Sequence, residues 1–131
     1  MNMQTAVQTV LRKYAVFTGR AARSEFWYWV LALLLVSLAL SIVEGAMLAP
    51  LMGFERFSPE AGQPLSTLLS IAIFLPALAV TVRRLHDTDR SGWWVLLGFI
   101  PIIGALVLLW WYIKPGTEGD NRFGPSPLVV D

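Results

Sequence analysis

Three stretches of this chain contain no aspartate, glutamate, lysine or arginine: residues 26–43, 65–82 and 93–113, runs of 18, 18 and 21 residues. Each is apolar almost throughout, so it must be buried or must face something other than water. As helices rising about 1.5 Å per residue they would extend roughly 27 to 32 Å, which matches a hydrocarbon core about 30 Å thick. The chain has 131 residues, of which 56% are hydrophobic and only 15% charged, and its mean hydropathy of +0.60 lies well above soluble composition. The expected class is an all-α integral membrane protein with three transmembrane helices, at about 26–48, 65–82 and 93–113, preceded by a short amphipathic interfacial helix.

The first run is longer than the apolar core of a cleaved signal peptide and is followed by EGAMLAPLMG, which offers no cleavage context, so it reads as a retained span. With no cysteine, disulfides, a thiolate nucleophile and thiolate metal sites are excluded.

Within residues 1–19, Met3, Val7, Val10, Tyr14 and Phe17 recur at three-four spacing, while Gln4, Gln8, Arg12 and Lys13 lie off that stripe. This pattern fits a helix lying in the membrane interface or one packed on the end of the bundle. Thr18 and Gly19 interrupt it, and Ser24 with Glu25 can start the first span, whose FWYW opening suits a water–lipid boundary. Ser37, Ser41 and Gly45 form a stripe of small residues expected to face another helix, and Glu44 is expected at the far interface.

Residues 50–64 read as an irregular loop. Pro76 should bend the second span, whose small face is Ala72, Pro76 and Ala79; Gly98, Pro101 and Ala105 are the equivalent in the third. These features place a compact three-helix domain at 20–113 and an extended tail at 114–131. A second arrangement of the third run is a re-entrant hairpin turning at Pro101 and Gly104, with arms of about nine residues that would only dip into the bilayer.

Orientation follows from basic residues. Arg12, Lys13, Arg20, Arg23, Arg83, Arg84 and Arg90 flank one side, against Arg56, Lys114 and Arg122 on the other. This puts the amino terminus in the cytoplasm of a multi-pass protein, with the loop 50–64 and the tail on the opposite face.

The polar residues concentrate in two places, GRAARSE before the first span and RRLHDTDR after the second. His86 with Asp87 and Asp89 is too small a donor set for a metal site. No serine has a histidine and acid context, and no glycine-rich loop follows a strand. No enzyme activity, cofactor or nucleic-acid partner is therefore expected. Positive flanks alone would account for arginines but not for the accompanying Glu25, Asp87 and Asp89. A shared cluster accounts for both: Glu25 is expected to pair with Arg83 or Arg84, and Asp87 with Arg20 or Arg23. Together with Arg90, five arginines against three acids leave an excess of positive charge suited to a phosphate. The candidate binding residues are Arg20, Arg23, Glu25, Arg83, Arg84, His86, Asp87 and Arg90.

Taken together, FTGRAARSEFWYW at 17–29, RRLHDTDRSGWW at 83–94 and GDNRFGPSP at 119–127 resemble the small bacterial inner-membrane proteins catalogued as domain of unknown function 805, over roughly residues 10–127. The resemblance implies an inner-membrane location and a short helical bundle. The functional expectation is a membrane protein that binds an anionic phospholipid headgroup or a membrane protein partner through the arginine and acid cluster. A transporter or channel subunit with a path at Pro76 and Pro101 is the alternative, although uncharged spans weigh against it. A lipid-phosphate enzyme would require His86 as acid or base.

Overall fold

The computed structural model describes residues 2–127; the end of the expected tail, 128–131, lies outside the described residues. The fold is helical, with α1 at Met3–Arg12, α2 at Arg23–Val43, a π-helical turn at Glu44–Leu48, α3 at Ala49–Leu51, α4 at Pro64–Asp87 and α5 at Ile103–Ile113. Short 3-10 segments occupy Pro59–Ala61 and Gly92–Phe99. Two compact units result: the residues up to Trp29 with those from Leu75 onward, and Val30–Phe74.

Two helical stretches are long and apolar enough to cross a membrane, Arg23–Leu51 with 29 residues and Pro64–Asp87 with 24. Only 11% and 17% of their most apolar windows are buried within the protein. Side chains such as Leu34, Leu38, Leu68, Ile71 and Phe74 are exposed, an arrangement that lipid stabilises and water does not. Pro76 is fully buried inside α4, which continues through it to Asp87.

The third apolar run departs from the expected single span. Its first part is a 3-10 segment of eight residues, Gly92–Phe99, and its second is α5 with eleven. At rises of about 2.0 and 1.5 Å per residue, each arm covers about 16 Å, half of a hydrocarbon core. The chain reverses at Pro101 and Ile102, where Ile102 has φ 65°, and the two arms pack on each other. Trp94 and Trp111 meet edge to face with ring centroids 5.6 Å apart, so both ends of the run lie together. A hairpin turning at Pro101 and Ile102 is the geometry observed. Gly104 makes it possible, because a Cβ there would overlap the carbonyl oxygen of Leu97.

Helix α1 also differs in detail. Asn2 caps it by accepting the Thr5 N–H at 2.8 Å, and it ends at Arg12, so Tyr14 and Phe17 are not part of it. Its buried face is Ala6, Thr9 and Val10, whereas Met3 and Tyr14 are exposed. Val10 of the expected stripe is thus buried together with the small Ala6 and Thr9, and the helix packs within the first unit on that face.

In the second unit, Ser37 and Ser41 are exposed. Gly45 is covered by the ring of Phe57 from the following loop, which a Cβ at Gly45 would overlap. At Gly45 the small stripe serves a loop contact.

Replacing Gly104 with Val should open the hairpin and cost about 1 to 3 kcal/mol, the usual penalty of forcing atoms into a packed site. Ala105→Val, at an exposed neighbouring position, should be nearly neutral. Reversible unfolding in detergent micelles would measure both, and equal stability of the two variants would contradict the close approach.

Candidate functional site

The two arginine-rich segments converge in the first unit, where the end of α4 lies against the residues that lead into α2. The Ala21 N–H donates to the Arg83 carbonyl at 3.0 Å, which fixes the backbone register between them. Ion pairs follow from that register. Arg83 pairs with Glu25. Asp87 holds two guanidiniums, Arg20 at 2.9 Å on one carboxylate oxygen and Arg84 on the other. Arg83 and Arg84 are 0% exposed, Asp87 3% and Glu25 4%, so the cluster is an interior structure and not a surface patch.

Two carboxylates cannot saturate three guanidiniums that carry five N–H groups each. Backbone carbonyls supply further acceptors, several of them from the tail. Arg20 donates to Gly119 at 2.6 Å and to Thr117, and Arg84 donates to Tyr112 at 3.1 Å, to Ala21 at 3.0 Å and to Lys114. In return the Thr117 N–H donates to the Asp87 carbonyl at 2.7 Å. Gly116 permits this approach, since a Cβ at that position would overlap the Asp87 carboxylate. Arg83 differs from its neighbours: its Nε and Nη2 are buried without a partner among the described residues.

His86 extends the tail contact. Its Nδ1 donates to the Gly19 carbonyl at 2.9 Å, its ring stacks on Phe123 at 4.0 Å, and its own carbonyl accepts from the Asn121 side chain at 2.9 Å. A tight Asn121–Gly124 turn presents that pair.

Not every expected member joins the cluster. Arg23 is exposed and donates to the Ile113 carbonyl at 3.3 Å. Arg90 lies over the Trp111 ring, 4.4 Å from its centroid. Asp89 pairs at the surface with Arg122. The expected five arginines and three acids thus divide into a buried group of three and two, with the remainder outside it. The tail is the larger correction: it packs on the RRLHD end of α4, which is incompatible with its expected place across the membrane. Asn121, Phe123 and the tail carbonyls were absent from the candidate residues. Backbone acceptors leave no mark in a sequence, although GDNRFG is a turn composition.

A cavity of about 530 Å³ lies between the start of α2 and the tail. Arg23, Ser24, Gly116, Thr117 and Ser126 line it, with Asp87 at its wall and Glu118 exposed. Among the described residues no group of three His, Cys, Asp or Glu side chains is placed to hold a metal ion.

Residues 14–125 match the family described as Protein of unknown function (DUF805). The chain is 42% identical to Inner membrane protein YhaH of Escherichia coli K12 over 120 residues, covering 92% of this chain and 93% of that one. It is 43% identical to Inner membrane protein YhaI of the same strain, over 91% and 92% of the two chains. Similarity to Uncharacterized protein YiiR is 30% over 87% and 70%. No solved structure matches.

One outcome is expected of this geometry. Asp87→Ala, which leaves the buried guanidiniums of Arg20 and Arg84 without a carboxylate, should cost about 3 to 5 kcal/mol, against about 0 to 1 kcal/mol for Asp89→Ala at the exposed pair. Unfolding in mixed micelles would compare them.

Proposed function

The chain belongs to the DUF805 family of inner-membrane proteins, and from that premise we propose that it binds an anionic phospholipid headgroup at the cytoplasmic end of two membrane-spanning helices. The spans are α2 and α4. The hairpin 92–113 dips into the bilayer from the cytoplasmic side, and both ends of the chain stay on that side. The charge distribution supports this orientation: with the tail beside RRLHD, nine of the ten Lys and Arg residues fall on one side, and only Arg56 on the other.

The observation that carries the binding reading is the cavity at the start of α2. The first turn of a helix presents backbone N–H groups that no preceding carbonyl satisfies, and its dipole favours an anion. Arg23 and the Ser24 hydroxyl stand on that turn, inside a cavity of 530 Å³. Asp87 contributes little repulsion there because Arg20 and Arg84 neutralise it, and Glu118 is screened by water. In this reading the buried arginines shape the site by holding the tail, and Arg23 meets the phosphate. The lipid reading is favoured over a protein partner because the cavity is small and lies beside the helix that enters the bilayer.

Native mass spectrometry from nanodiscs should find phosphatidylglycerol retained in preference to phosphatidylcholine. Arg23→Gln should weaken retention about fivefold, the roughly 1 kcal/mol that one basic residue contributes near an anionic surface. Retention without headgroup preference, or unaffected by Arg23→Gln, would refute the site. Single cysteines at Thr18, Glu60 and Asp120, all exposed, test the orientation in spheroplasts: an impermeant reagent should label only the Glu60 position.

A further inference from the structure

We propose that the second unit carries a separate binding site for a small organic ammonium ion, with Glu44 as its counter-charge. The site does not depend on the lipid site, and its residues all belong to Val30–Phe74.

Glu44 opens the π-helical turn Glu44–Leu48. Such turns insert an extra residue into the helical repeat and re-aim the side chains around it, which is why they recur at functional positions. The carboxylate is 4% exposed. One oxygen, Oε1, is held by Ser66, whose hydroxyl donates to it at 2.7 Å and whose backbone N–H also donates. The other, Oε2, is buried and has no hydrogen-bond partner among the described residues. A buried carboxylate oxygen without a donor is unfavourable, and a cation beside it removes the penalty.

Glu44 lines a cavity of about 820 Å³, within the size range of small-molecule sites. Ser41, Ser58, Gln63 and Thr67 supply the other polar groups, and Phe57 an aromatic wall. Phe57 is held there against its conformational preference: its φ is 58°, unusual for a bulky residue, and its N–H donates to the Gly45 carbonyl at 2.8 Å. Strain of this kind, coinciding with a buried unpartnered carboxylate, marks the segment as built for something other than loop closure.

The lining also selects the ligand class. A divalent metal needs several anionic or imidazole ligands, and only Glu44 among the lining residues is charged. An anion is repelled by it. A compact inorganic cation would exchange its hydration for a largely apolar wall. An ammonium carried on alkyl groups fits all three features, since its charge faces the carboxylate, its alkyl groups face the apolar lining, and the Phe57 ring attracts a cation over its face.

The test uses the full chain in maltoside micelles with choline chloride as probe, followed by isothermal titration calorimetry. Potassium chloride and dimethylbutanol, the uncharged carbon isostere of choline, serve as comparators. Choline should bind and the comparators should not. Glu44→Gln preserves the shape and the acceptor for Ser66, and should weaken binding about tenfold or more; Phe57→Leu should weaken it about fivefold. Arg23→Gln should leave it unchanged, which separates this site from the lipid site. If choline gives no binding, or the uncharged isostere binds equally well, the proposal fails. Should Glu44→Gln, folded by size-exclusion chromatography, bind choline as tightly as the natural chain, the carboxylate is not the counter-charge and the proposal is overturned; if Glu44→Gln does not fold, undiminished binding by Phe57→Leu overturns it as well.

Discussion

Asp87 is the residue on which the first unit depends. Its two carboxylate oxygens hold Arg20 and Arg84 from segments 64 residues apart in sequence, and its carbonyl receives the Thr117 N–H from a third. Buried ion pairs add little net stability over a well-packed apolar replacement, because taking the charges out of water costs about as much as their attraction returns. Their effect is on specificity. Once three guanidiniums are buried with two acids, every remaining N–H must find an acceptor, and the geometry that satisfies most of them is the one in which the tail carbonyls close over the cluster.

The hairpin follows from that requirement. A third helix crossing the bilayer would carry Lys114 and the tail away from Asp87 by the full thickness of the hydrocarbon core. Returning the chain at Pro101 and Ile102 brings Tyr112 and Lys114 back to Arg84, while the Trp94–Trp111 contact and the absence of a side chain at Gly104 close the two arms. Arg90 over Trp111 and Lys114 over Trp110 then place cations against aromatic rings at the mouth of the hairpin, an arrangement suited to a boundary between water and lipid.

Buried charge is handled in two ways along the chain. In the first unit most guanidinium donors are matched by acids and carbonyls of the protein itself, with Arg83 the exception. In the second, Glu44 is only half satisfied: Ser66 serves one oxygen, and the other faces no donor among the described residues. The contrast separates a self-contained structural cluster from a position with capacity for a ligand.

The sequence by itself determined the membrane class, the two long apolar helices and the kinship of GRAARSE with RRLHD, because charge-free runs and clustered opposite charges are local facts that survive any packing. The pairing of Glu25 with Arg83 or Arg84 and of Asp87 with Arg20 or Arg23 was legible for the same reason, since an acid near an arginine-rich partner segment has few alternatives, and the structure selects Arg83 and Arg20. Tertiary structure decided the rest. Whether 93–113 crosses or returns depends on what its far end binds, and the binding groups are carbonyls of Lys114, Thr117 and Gly119, which any residue would provide. The buried face of α1 kept Val10 of the expected stripe and took in Ala6 and Thr9, because close approach rewards small side chains that hydrophobic periodicity does not count. Gly45, read as a helix contact, met Phe57 instead, because a stripe of small residues states how near a neighbour can come and not which neighbour comes.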